Sequence, residues 1–160
     1  MLDLMSGPNA PVASACLMAG WRAITVDCLL DQKADLADEA CQEKVKAQAK
    51  GADFIWYAPD CSTKSKARLK RGHFADGQPL PPPLRSEATP MGLAGLVGLN
   101  KERVDRDNEA CDFCLGLLRA HQGKGGVSGR ENPRSSIHWW IPMEVEMFAQ
   151  GTWTDTSLDN

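Results

Sequence analysis

The sequence predicts an α/β protein built on a mostly parallel sheet. Three features carry that expectation. Short apolar runs alternate with longer helix-forming stretches along the chain. Each of these runs is followed within two residues by glycine, proline or aspartate, which punctuate strand ends. The run at residues 54–58 is continuously apolar and aromatic, as in a parallel strand covered on both faces.

Taken in order, residues 2–5 form a short apolar strand that stops at Ser6-Gly7-Pro8-Asn9. Residues 10–18 have helix-forming composition, with Pro11 tolerated in the first turn and Gly20 suited to the C-terminal cap. Residues 23–26 form a second strand ending at Asp27. Residues 35–50 are rich in Ala, Glu, Lys and Gln, which favour helix. The third strand, residues 54–58, stops at Pro59.

Residues 72–98 then carry Pro79, Pro81, Pro82, Pro83 and Pro90 with several glycines, predicting an irregular loop that could close over a site as a lid. From residue 100 to about 121, Val104, Cys111, Leu115 and Leu118 fall on one helical face. Residues 127–131 form a fourth strand. Residues 135–149 form a last helix, begun or kinked at Pro142. This alternation predicts a parallel sheet with right-handed crossovers and helices on both faces.

At 160 residues the chain is long enough for one domain with a real core. Its 42% hydrophobic and 24% charged content is that of a globular protein, not of a disordered or membrane-spanning one. The longest apolar run, residues 10–19, is too short to cross a bilayer and has no basic leader, so an intracellular location with no membrane partner is expected. Six cysteines at irregular spacings read as free thiols in a reducing compartment. Cys111 and Cys114 make a single C-x-x-C pair without the further ligands a zinc site requires, and no metal is expected. Net charge is −3, which argues against a wholly basic binding surface. The basic residues are nevertheless concentrated: Lys64, Lys66, Arg68, Lys70 and Arg71 follow one another with no acid between them.

In parallel sheets, ligands bind beyond the carboxyl ends of the strands. Four points therefore matter. Gly7 lets backbone approach a ligand closely. Asp27, about 20 residues on, is placed to accept hydrogen bonds from ribose hydroxyls. Cys61 stands just past the third strand, followed by Ser62 and the basic run, a setting that favours the reactive thiolate. Glu131 ends the fourth strand, where a carboxylate can bond a base edge or move a proton.

Together these points resemble the motifs of the cytosine-C5 DNA methyltransferase family, in the divergent form found among phage-type members. Residues 2–7 look like the cofactor loop, residues 24–27 like the segment whose acid holds the cofactor ribose, and Pro59-Asp60-Cys61 like the proline-cysteine catalytic motif. Arg130-Glu131-Asn132-Pro133 resembles the glutamate-asparagine motif that grips the target base. The chain departs from the usual family pattern at several positions: Met5 replaces an aromatic, Pro8 and Asn9 replace further glycine, Asp60 replaces a second proline, and Pro133 replaces valine. The family's acidic motif that reads the adenine amino group has no match.

The resemblance implies a Rossmann-like methyltransferase fold whose C-terminal strands are missing. The cofactor is S-adenosylmethionine, the nucleophile Cys61 and its carboxylate partner Glu131. Met5, Ser6, Gly7, Asn9, Asp27, Cys28 and Pro59 would contact the cofactor. Ser62, Lys64, Lys66, Arg68, Asn132 and Arg134 would contact substrate. DNA is the implied partner, with RNA as the alternative. The implied location is the cytoplasm of a bacterium or phage host, or the nucleus of a eukaryote. In the family, further strands, an arginine-bearing motif and a DNA-reading domain follow. None is recognisable after Trp153, so a further segment or a second chain is expected to complete the fold. Two rival readings stand beside this one: a non-catalytic remnant of the fold, and a methyltransferase with another acceptor such as RNA. Trp139 and Trp140 are candidates for stacking on nucleotide.

Overall fold

The computed structural model describes residues 1–70, 72–151 and 153–154. Arg71, the last residue of the basic run, lies outside the described residues. The chain is α/β and divides into two compact units. The first comprises residues 1–59 and 106–131, the second residues 60–105 and 132–160.

The first unit holds an all-parallel four-stranded sheet formed by β1 (Leu2–Leu4), β2 (Ile24–Val26), β3 (Phe54–Tyr57) and β4 (Val127–Arg130), in the order β2-β1-β3-β4. β1 lies between β2 and β3, with Leu4 opposite Val26 on one side and Tyr57 on the other. Leu2, Leu4, Ile55 and Tyr57 are at most 1% exposed. Burial of such a side chain stabilises by about 1.5–3 kcal/mol. In β3 the alternate residues Phe54 and Trp56 pack together, with ring centroids 6.2 Å apart. Gly129 of β4 lies opposite Trp56 in register. A Cβ there would meet the indole at 2.5 Å, so only glycine admits that ring.

Helices α1 (Pro11–Met18) and α2 (Glu39–Ala49) link the first three strands. α1 starts with proline at its first position, as the sequence suggests. α2 begins later than residue 35 for a local reason. Asp35 and Asp38 each accept a backbone N–H, from Ala37 and Cys41 respectively, and the Asp38 bond is the N-cap. These short side chains favour turns and caps over helix interiors.

Helix α3 (Gly98–Gln122) runs from the second unit into the first. Val104, Cys111, Leu115 and Leu118 are all buried. Cys111 and Cys114 are both buried. The segment expected as one helix over residues 135–149 is two elements: a 3-10 turn, Ile137–Trp140, and α4 (Pro142–Ala149). Pro142 cannot donate the N–H a continuous helix needs, so it starts the second element instead of lying inside the first. In the second unit, a further 3-10 turn spans Lys66–Leu69. The proline-rich loop folds back at its start, where His73 bridges to Pro79. Among the described residues no helix is long and apolar enough to cross a membrane.

Candidate functional site

In the first unit, chain direction along the sheet reverses at β1: the chain steps to β2 on one side, and later strands add on the other. The crevice at such a switch point, beyond the carboxyl ends of the strands, is where open α/β sheets take ligands. Here it lies between the ends of β1 and β3. The Ala58 N–H bonds to the Leu4 carbonyl at 3.1 Å, and the Met5 N–H to the Val26 carbonyl at 2.8 Å, so the three strand ends are tied together.

The loop after β1 is strained. Met5 has φ 58°, Gly7 φ 68° and Ala10 φ 38°. For a residue with a Cβ, the left-handed conformation costs roughly 1–2 kcal/mol. Strain of this kind concentrates at ligand sites. Asp27 holds the loop in place: its carboxylate accepts the Gly7 N–H at 2.8 Å and the Leu29 N–H at 2.7 Å. Each carboxylate oxygen has a second lone pair. Nothing lies within 4 Å of where a Cβ on Gly7 would stand. An acceptor carboxylate beside an open backbone turn can accept hydrogen bonds from a ligand's hydroxyl groups.

The other residues expected around the cofactor lie along the same loops. Ser6 is buried, Asn9 and Cys28 are exposed, and Pro59 is buried just past β3. Glu131 is exposed and follows β4 directly, with its N–H bonded to the Tyr57 carbonyl at 3.0 Å. Asp3 is 1% exposed within β1. Its Oδ2 accepts the Ala13 N–H at 3.1 Å, at the start of α1. Burial raises its carboxyl pKa; the Ala13 bond opposes the rise, and the Asp27 charge adds to it. Burial also drives the Tyr57 phenol well above its ordinary value.

In the second unit, Cys61 is half-buried and its thiol is free. It sits in a turn closed by the Lys64 N–H on the Cys61 carbonyl at 3.0 Å. The exposed Asp60 carboxylate accepts both the Ser62 N–H, at 2.9 Å, and the Ser62 hydroxyl, at 2.5 Å. The basic run divides sharply. Lys66 and Arg68 reach solvent, Lys66 paired with Glu87 and Arg68 donating to the Ser62 and Pro82 carbonyls. Lys64 departs from the expectation of a phosphate contact. It is fully buried, and its ammonium donates to the Asp60 carbonyl at 3.3 Å.

Asn132 is 9% exposed and Arg134 lies at the surface. The Trp139 indole N–H donates to the Pro133 carbonyl at 2.9 Å, while Trp140 is 48% exposed. His138 Nε2 and Glu144 Oε1 lie 2.6 Å apart, both fully buried.

Sequence reasoning missed Arg85, which is 1% exposed. Its Nε–H donates to Thr63 Oγ1 at 3.1 Å, and its two terminal nitrogens to the Pro90 carbonyl at 2.6 Å and the Val104 carbonyl at 3.3 Å. A signal was present in composition. Prolines supply carbonyls without N–H groups, so a proline-rich loop has surplus acceptors, and arginine is the side chain with most donors.

A cavity of about 820 Å³ opens at the amino edge of the first unit, lined among others by Lys46, Lys50, Asp53, Asp112, His121 and Lys124. Its mixed charges and its place before the strands set it apart from the crevice at the carboxyl ends. Among the described residues no group of three or more His, Cys, Asp or Glu is placed to hold a metal ion. Compared with known proteins, the chain matches no family model, no curated protein and no solved structure.

Proposed function

We propose that the chain is the cofactor-binding and catalytic part of an S-adenosylmethionine-dependent methyltransferase acting on C5 of cytosine in DNA, on a Rossmann-like fold. The observation that carries this reading is the crevice between β1 and β3. Beside it, the strained, open glycine turn after β1 hydrogen-bonds to Asp27, the carboxylate at the end of β2. Its chemistry suits a nucleoside-bearing cofactor. The bound cofactor supplies an electrophilic methyl group.

Asp27 holds the ribose through its remaining lone pairs, and the Ser6-Gly7 backbone approaches the ligand closely. Cys61 acts as nucleophile. Carbon 5 of cytosine is too electron-poor to accept a methyl group unaided. Addition of the Cys61 thiolate to C6 forms a C–S bond and moves the C5=C6 electron pair onto C5. Glu131 hydrogen-bonds the N3/N4 edge and offsets the charge that develops. After methylation, loss of the C5 proton to a base restores the double bond and expels the thiolate. The target atom is hidden in a duplex, so the base must leave the stack. Lys66, Arg68 and Arg134 offer cations to the phosphates beside it. Location inside the cell follows from a DNA substrate.

The test uses DNA carrying 5-fluorocytosine, where fluorine replaces the departing proton and blocks the last step. The chain forms a cofactor-dependent covalent complex that survives denaturing electrophoresis, and Cys61→Ser abolishes it. Absence of the complex, or its persistence in Cys61→Ser, contradicts the reading.

A further inference from the structure

The proline-rich loop expected as a lid is fastened by a buried guanidinium, and the same guanidinium reaches the turn that carries Cys61. We infer that Arg85 is a positioning residue for Cys61; this rests on the reading of Cys61 as nucleophile. Thr63 is 5% exposed and two residues past Cys61. Its hydroxyl accepts the Arg85 Nε–H at 3.1 Å. The other arms of the fork are occupied by Pro90 and Val104, carbonyls of the loop and of α3.

Two further contacts keep the loop from swinging free. The Leu93 N–H bonds to the Leu84 carbonyl at 2.9 Å, and Leu84 is 1% exposed. Gly92, at φ 133°, lies so close to Val104 that a Cβ would meet its side chain at 2.9 Å. The Cys61 turn is closed locally by the Lys64 N–H on the Cys61 carbonyl and by the Asp60–Ser62 bonds, and its far end is tied by the Ile137 N–H on the Lys64 carbonyl at 2.9 Å. Arg85 adds a side-chain restraint nearer the thiol, across 22 residues of chain to Thr63. A planar guanidinium has a fixed geometry of donors, so the orientation set at Pro90 and Val104 is passed to Thr63. Lysine has charge but no such fork.

The experiment measures carbamidomethylation of individual cysteines in the full chain by peptide mass spectrometry. Exposed Cys28, in the other unit, is the internal control. Thr63→Val removes the acceptor while keeping the shape; Arg85→Lys keeps the charge while losing the fork. Both are expected to speed Cys61 labelling by about threefold or more through local opening, with Cys28 unchanged. Thr63→Ser, which retains a hydroxyl, restores the original rate. A merely structural loss would move both cysteines and would not be rescued.

The inference is overturned if either folded variant labels Cys61 less than about threefold faster than the unsubstituted chain, or if Cys28 changes equally. It is also overturned if both variants lose their circular dichroism, because Arg85 is then a folding residue. Failure of the 5-fluorocytosine complex in the unsubstituted chain counts against the methyltransferase reading alone and leaves the labelling result standing.

Discussion

The two units solve the same problem with opposite charges. In the first, the buried ions that tie loops to strands are acids, Asp3 and Asp27. In the second, the buried ions that tie the Cys61 turn and the proline-rich loop are cations, Lys64 and Arg85. The difference follows from what the backbone leaves unsatisfied. Loops that lead into helices and tight turns present spare N–H groups, and Asp3 and Asp27 accept them from Ala13, Gly7 and Leu29. A segment with Pro79, Pro81, Pro82, Pro83 and Pro90 has lost N–H groups and kept its carbonyls. Arg85 donates to the Pro90 carbonyl of that segment and to the Val104 carbonyl of α3, and Lys64 to the Asp60 carbonyl next to Pro59. A buried charge therefore reads here as a backbone staple.

The largest expected effect is in the second unit. Arg85→Met strips donors from buried Thr63 and from two carbonyls. Hydrogen bonds to a charged group are worth about 1.5–3 kcal/mol each, so a loss of about 3 kcal/mol is expected in urea unfolding. A loss near zero would show that the fork is decoration.

Next comes the acid staple. Asp27→Asn leaves one acceptor oxygen where two backbone N–H groups converge, at a cost of about 1–3 kcal/mol in the same measurement. Were Asp27 a plain surface residue, the change would be neutral.

Asp3 gives a pH signature in the first unit. Burial, the largest cause, raises its folded pKa above the ordinary 3.8. The folded chain then holds this proton more tightly than the unfolded chain. Its stabilising contribution is full below that ordinary value and is lost as pH rises through the raised one. Wild type should gain stability relative to Asp3→Asn on acidification through that window, read as a rise in the difference between their urea midpoints. An equal response of both proteins would refute the assignment.

The smallest effect contrasts buried cations with exposed ones. Lys66→Gln breaks only the exposed pair with Glu87, and stability should change by at most about 0.5 kcal/mol. A larger loss would mean that the solvent-facing part of the basic run is structural too.

Much of the first unit was legible in the sequence because its signals are local. Apolar runs, Gly7, Pro11 and Pro59 mark strand and helix ends through constraints that act on one or two residues. The placement of Asp27 past β2 came from spacing alone. The second unit was read less well. A charge run looks like a solvated face, and nothing in residues 64–71 says that Lys64 turns inward. The Arg85 fork joins positions 63, 85, 90 and 104, a relation visible only in three dimensions. The helix expected over residues 135–149 was misjudged at its start, where Ser136 caps a 3-10 turn by accepting the His138 N–H and Pro142 begins the next element.

The most direct measurement is calorimetric titration of the chain with S-adenosylmethionine. The account predicts one site per chain, weakened about tenfold or more by Asp27→Asn through loss of a charge-assisted bond to ribose. Cys61→Ser, which alters no cofactor contact, should bind as the unsubstituted chain does. Absence of binding heat, or equal affinity in Asp27→Asn, would contradict the claim that the crevice between β1 and β3 is a nucleoside-cofactor site.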